Sequence, residues 1–210
     1  MAHHGQPQPV EPVDSFWDEP ICEDYLAPIY PSPDDFRSVD HFCPILLRHY
    51  FTQDDNCGVE SERCTTHPRP RQHLNSFIVH LAPPPHLRRR RVIAVEARWF
   101  PSDTSPGWEN NYDWTDVRET LRAHMLSDWT MRTRVQATYG IVAVGDRVRF
   151  YYMSRTDLER ELRTWNSHPV DAPGADESPI LNIHSLVDQR VIHHLMLRMR
   201  QDILSRCNNY

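Results

Sequence analysis

The sequence predicts an α/β (α+β) domain in which a central β-sheet is flanked by helices. Residues 74–81 and 92–100 are rich in β-branched and apolar side chains and are typical of strands. Two more apolar segments, residues 138–144 and 147–153, flank a two-residue turn. Apolar residues recur at helical spacing in residues 114–129 and 185–206. Helices therefore alternate with strands along the chain, which favours a layered α/β arrangement.

The composition fits one domain with a tail. The chain has 210 residues, 39% hydrophobic and 10% aromatic, which is enough for one substantial core without disulfides. We expect this single domain to span residues 34–210. Residues 1–33 are rich in proline and acidic side chains, so an extended or disordered tail is favoured over a helix, although its aromatic residues could dock on the core.

The first half of the domain carries mixed signals. Residues 34–51 show apolar side chains at helical spacing, but Pro44 should break or restart that helix. Residues 52–71 are polar and proline-containing, and they predict a loop. The two strands at residues 74–81 and 92–100 could be sheet neighbours joined by a basic loop.

Local signals place the later elements. Asp113 can cap the helix that follows it. Gly145 and Asp146 predict a type II′ hairpin turn, because glycine tolerates a positive φ at the first central position. Thr156 and Glu159 match a capping box, which predicts a short helix to about residue 165. Residues 166–182 read as a loop, and the last helix could close the core or meet another chain.

The basic residues restrict the possible chemistry. All 23 are arginine, and the chain contains no lysine. A Schiff base, a P-loop and a lysine general base all require an ammonium group that can lose its proton or bind phosphate. Arginine stays protonated and cannot replace it, so these functions are excluded.

Two segments carry a family resemblance. Residues 92–98 read VIAVEAR, a hydrophobic strand that leads into Glu-x-Arg, and residues 136–151 read QATYGIVAVGDRVRFY. With the order of elements, over about residues 36–153, they resemble the PD-(D/E)XK nuclease superfamily, also called restriction-endonuclease-like. The hairpin also resembles that of fungal proteins. The resemblance implies a restriction-endonuclease-like core with a mixed sheet, and Mg²⁺ or Mn²⁺ as cofactor only if the site is active.

The resemblance also assigns site residues. Glu96 stands at the acidic, metal-binding position, Arg98 at the lysine position, Asn75 where aspartate is usual, and Gln136 at the helix end before the hairpin. An amide in place of a carboxylate weakens binding of a hard cation, and arginine cannot accept a proton from water. We therefore expect a catalytically degenerate binding module.

Alternatives remain at this stage. An active metal-dependent nuclease would use Glu96 and Asn75 with one further acid. Glu96 and Arg98 could equally be a structural i,i+2 pair on one side of the strand end, with salt bridges to other loops. The further-acid candidates are Asp40, Glu60 and Glu62. A third possibility is an effector-like interaction protein without a nucleic-acid role. A zinc ion held by Cys57, Cys64, His67 and His73 is a weaker prediction, because their spacing is loose.

Charge and hydropathy bear on partners. The net charge of −6 argues against a surface that is basic throughout, so nucleic acid is expected along a limited strip of arginines. These are Arg88, Arg89, Arg90, Arg91, Arg147 and Arg149. A protein partner could instead bind the tail or the last helix. The chain shows no secretory pattern, no membrane-length apolar run and an odd number of cysteines, five, so we expect an intracellular protein, cytoplasmic or nuclear.

Overall fold

The computed structural model contains a seven-stranded mixed sheet flanked by helices. The structure describes residues 13–31, 38–63, 73–81, 89–131, 137–154, 161–165 and 179–207. Its helices are α1 (Pro20–Leu26), α2 (Ser38–Tyr50), α3 (Trp114–Met131) and α4 (Leu186–Cys207). Its strands are β1 (Cys57–Arg63), β2 (His73–Leu81), β3 (Arg89–Arg98), β4 (Ala137–Val144), β5 (Arg147–Ser154), β6 (Arg163–Thr164) and β7 (Leu181–Asn182). The predicted α/β class with a mixed sheet is confirmed.

The strands run in the order β1-β2-β3-β4-β5-β6, and β7 also pairs with β5. All pairs are antiparallel except β3 with β4. A parallel pair needs a crossover connection, which α3 provides on one face of the sheet. The predicted pairing of β2 with β3 is confirmed.

The sheet separates two clusters of buried side chains. Successive strand residues point to opposite faces, so Ala94 and Val142 pack towards α3, while Val95 and Ala143 pack into the cluster that contains α1, α2 and α4. On the α3 face, Gly140 allows a close approach, because a Cβ there would lie 2.7 Å from the Leu121 side chain.

Two local predictions hold. The backbone N–H of Thr115 donates to the Asp113 carboxylate at 2.9 Å, so Asp113 caps α3. Gly145 has a φ of +53°, and no positive φ is found at Asp146, which is the φ pattern of a type II′ turn. The last helix also lies where its spacing predicted.

The N-terminal segment differs from its prediction. The expectation of extended chain is wrong for Pro20–Leu26, which form α1, with Pro20 in the first turn, where its missing N–H costs no helical hydrogen bond. Phe16, Cys22 and Ile29 are buried in the same core as α2 and α4. Residues 13–31 are thus packed against the domain, and residues 1–12 and 32–37 lie outside the described part of the chain.

Four further expectations are corrected. Pro44 does not break α2, because the apolar side of the helix, including Phe42 and Leu47, is buried and outweighs the lost hydrogen bond. Part of the expected loop at residues 52–71 is strand β1, and the basic stretch before residue 92 already belongs to β3. Arg163–Thr164 form strand β6 where the end of a helix was predicted, and residues 155–160 lie outside the description.

Candidate functional site

The candidate site lies where β3 ends against the first half of α3. Glu96 and Arg98 are two residues apart on the strand, so both point to the α3 face. Glu96 is completely buried, with 0% of its surface exposed. A buried carboxylate requires charged or hydrogen-bonding neighbours, since its desolvation is otherwise too costly.

Arg98 supplies the counter-charge and joins strand to helix. Its Nε donates to Glu96 Oε1 at 3.3 Å, and its Nη1 donates to Asp116 Oδ2 at 2.5 Å. Its Nη2 donates to Thr120 Oγ1 at 3.0 Å, and that hydroxyl donates to the Asp116 carbonyl at 2.9 Å. The guanidinium therefore lies between two carboxylates, one on β3 and one on α3.

The second oxygen of Glu96 faces a histidine. His124 Nδ1 lies 3.5 Å from Glu96 Oε2 and forms an ion pair with it when the ring is protonated. Asp116, Thr120 and His124 step along α3 by four residues, so they share one side of the helix. This spacing is visible in the sequence, yet it reveals a site only once α3 is placed beside β3.

The network keeps Arg98 charged. Burial alone would lower the pKa of Arg98, but its hydrogen bond to Asp116 and the charge of Glu96 outweigh burial, and the pKa lies above its usual value. Tyr112 lies beside this group, and burial raises the pKa of its hydroxyl although Arg98 opposes that shift. Arg98 can thus stabilise a neighbouring negatively charged group, but it cannot act as a general base.

The register places the other predicted site residues. Asn75 on β2 is directly opposite Glu96 on β3, and Glu62 on β1 is opposite Asn75. In the backbone register, these three positions therefore lie in one row across the sheet. The side chains of Asn75 and Glu62, and the whole of Gln136, fall outside the described structure.

Three of the predicted phosphate-binding arginines are held within the protein. Arg149 is only 3% exposed, and its guanidinium lies 5.1 Å from the Trp114 ring centre. Such burial argues against a phosphate contact, because a cation stacked on an aromatic ring in the interior is not presented to solvent.

Arg147 and Arg91 are also paired. Arg147 contacts Asp146 at 2.5 Å and Glu109 at 3.4 Å, and its guanidinium lies 5.9 Å from the ring centre of the buried Trp108. Arg91 pairs with Glu60 at 3.6 Å.

Arg91 also lies 4.0 Å from the centre of the Phe77 ring. Arg89 and Arg90 belong to the backbone of β3, but their side chains, and all of Arg88, lie outside the described residues.

The zinc hypothesis gains no support from the part of the chain that can be described. Cys57 is a buried thiol that lies 3.6 Å from the Asp55 carbonyl, and Cys64 and His67 are outside the described residues. No group of three or more His, Cys, Asp or Glu side chains suited to a metal ion occurs among the described residues.

Comparison with known proteins gives no relatives: no family model, no curated protein and no solved structure matches this chain. Within the described residues, no helix combines the length and apolar character needed to cross a membrane.

Proposed function

We propose that the chain is a binding module with a restriction-endonuclease-like core and a catalytically silent site at Glu96. The order of elements supports this core: α2, then strands β1 to β3, then α3, then the β4–β5 hairpin. It is the order that the resemblance to PD-(D/E)XK nucleases implies, with β1 in the position expected to be loop.

The position of Arg98 carries the proposal. A metal-dependent nuclease needs a divalent cation close to its acidic residues, where it polarises phosphate and activates water. Here the guanidinium already bridges Glu96 and Asp116, at 3.3 and 2.5 Å. A divalent cation at Glu96 would have to displace it from both carboxylates and from Thr120. Because Arg98 stays protonated, it also cannot take a proton from water.

The engaged arginines favour a protein partner over nucleic acid. Arg91, Arg147 and Arg149 have internal partners, and the net charge of the chain is −6. Several large apolar side chains, by contrast, are exposed on α1 and α4. Exposed apolar side chains that lie together are typical of protein interaction sites.

Cleavage is the first test. The intact protein is incubated with plasmid and single-stranded substrates in Mg²⁺ or Mn²⁺, beside a Glu96→Gln variant. We expect no cleavage that depends on Glu96. Equal cleavage by both proteins would indicate contamination and agree with the proposal, whereas cleavage that disappears in Glu96→Gln would identify an active nuclease and overturn it.

Nucleic-acid binding is tested separately. The four arginines at residues 88–91 are replaced by glutamine, and binding of duplex and single-stranded oligonucleotides is measured at two salt concentrations. A protein-binding module predicts weak binding that the substitution does not change. Tight binding that falls with salt and with the substitution would make nucleic acid the partner instead.

A further inference from the structure

The first half of α4 presents apolar side chains to solvent on its outer side. Leu186, Val187 and Val191 are 69%, 71% and 39% exposed, although they belong to a helix whose other side is in the core. The buried residues on that inner side include Ile192, Leu195 and Met199. The packing of α4 against the domain therefore does not account for the outer apolar residues.

The exposed residues follow the spacing of a helix-pairing seam. Val187, Val191, His194 and Arg198 are separated by four, three and four residues, and all are exposed. This alternation keeps them on one side of the helix, as the a and d positions of a coiled coil do. We call these four residues, with Leu186, the outer stripe of α4. Tyr30 is also exposed, and its ring stacks on that of His184, two residues before α4 begins, with ring centres 4.8 Å apart.

Two exposed arginines, one in the stripe and one beside it, specify the charge of the partner. Arg190 and Arg198 are both exposed, and no ion pair to either is found among the residues that the structure describes. The helix's acidic residues are engaged elsewhere: Asp188 accepts the Asn182 N–H at 2.9 Å, and Asp202 pairs with Arg206. The outer side is therefore apolar and basic, without a free acid among its own exposed positions.

We propose that the outer stripe of α4 binds an amphipathic helix of a protein partner that carries acidic residues beside its apolar seam. The apolar side chains supply the buried area, and Arg190 and Arg198 select the acidic flanks. A second copy of this chain fits less well, because in either orientation its stripe would bring further arginines and no exposed acid to the interface. The inference rests on the binding role proposed above, but not on the silence of the Glu96 site.

The test uses the full chain and a designed probe. The probe is a labelled three-heptad peptide with leucine at a and d and glutamate at e and g, positions at which like charges keep the peptide from pairing with itself. A matched peptide carries lysine at e and g. Fluorescence anisotropy should show binding of the acidic peptide at least about tenfold tighter than binding of the basic one.

Variants locate the contact. Val187→Glu with Val191→Glu should weaken acidic-peptide binding by at least about tenfold, and Arg190→Glu with Arg198→Glu should shift the preference to the basic peptide. Leu81→Glu is the matched control, since Leu81 is an exposed apolar residue at the end of β2. Circular dichroism checks that each variant is folded.

Three outcomes would overturn the inference: equal affinity for both peptides, acidic-peptide binding that survives the Val187 and Val191 substitutions, or a wild-type dimer that those substitutions dissociate. The last would make a second copy the occupant. None of them alters the cleavage result, so a failure of this surface is distinguishable from a failure of the proposed silent site.

Discussion

The two faces of the sheet bury different kinds of side chain. On the α3 face, Glu96, Arg98 and Arg149 bring charge into or close to the interior beside aromatic rings. On the opposite face the strands contribute apolar residues, and buried polar pairs such as Arg200 with Asp55 hold α4 to a loop at the edge of the core.

The difference separates stability from candidate function. Apolar packing needs no charge, and buried ion pairs are weak evidence of a stabilising role, because desolvation offsets their attraction. The charged network on the α3 face, which links a strand to a helix, is thus more informative about function than the larger apolar core. The comparison can be tested face by face.

The largest expected effect is on the apolar face. Phe16 is fully buried and meets Phe42 edge to face at 6.3 Å. Phe16→Ala should lower the free energy of unfolding by about 3–5 kcal/mol, measured by urea denaturation. Ile21→Ala, from the same segment but about half exposed, is the control and should cost less than about 1 kcal/mol. Equal losses would show that residues 13–31 do not belong to the core.

On the α3 face, substitutions of Arg98 and Glu96 should have coupled effects on the free energy of unfolding. Arg98→Met removes the counter-charge of buried Glu96 and should cost about 3 kcal/mol. Adding Glu96→Gln removes the stranded charge, so the double variant should recover at least about 1 kcal/mol relative to Arg98→Met alone. Urea denaturation of the wild type, the two single variants and the double variant gives the coupling free energy between Glu96 and Arg98. Strictly additive losses would mean that the two groups do not interact.

The third effect is a fall in stability at alkaline pH that originates on the apolar face. Burial raises the pKa of the Cys22 thiol from 9.0 to about 11 and that of Cys43 to about 12. Burial also raises the pKa of Tyr50 above its usual 10.0. The unfolded chain ionises these groups first, so their contribution is complete below pH 9 and is lost as the pH rises.

The measurement is denaturation between pH 8.5 and 10.5, over which the free energy of unfolding should fall as the pH rises. The absence of lysine simplifies it, because no lysine side chain titrates in this range. A Cys22→Ala and Cys43→Ala double variant should show a shallower slope whatever its starting stability. An unchanged slope would assign the alkaline loss to other groups.

Elements with local signals were predictable, and those that depend on packing were not. Asp113 and Gly145 act within a few residues of themselves, so the start of α3 and the hairpin turn follow from the sequence. Pro44 is tolerated because distant core residues stabilise α2, which no local pattern reveals. Strand β1 was missed because its edge position leaves polar residues exposed, and it therefore lacks an apolar run.

The candidate site was predictable only on its strand side. Glu96 and Arg98 share one side of β3 by strand periodicity, and they form an ion pair with each other. The further partner of Arg98 is Asp116 on a helix, not a loop residue as the structural alternative expected. Asp116 and His124 were missed, since their role depends on how the crossover helix packs on the sheet. Arg149 is buried and therefore does not belong to the expected basic strip. Its apolar neighbours Val148 and Phe150 face the opposite side of the sheet, so they gave little indication in the sequence that Arg149 itself is buried.

The most direct test of the central claim is Mn²⁺ binding, measured by electron paramagnetic resonance on the wild-type protein and on Arg98→Ala. If Arg98 occupies the position of a divalent cation, the wild type should bind no stoichiometric Mn²⁺ at Glu96. Arg98→Ala should gain a site that Glu96→Gln then removes. One Mn²⁺ bound by the wild-type protein and lost on Glu96→Gln would contradict the account.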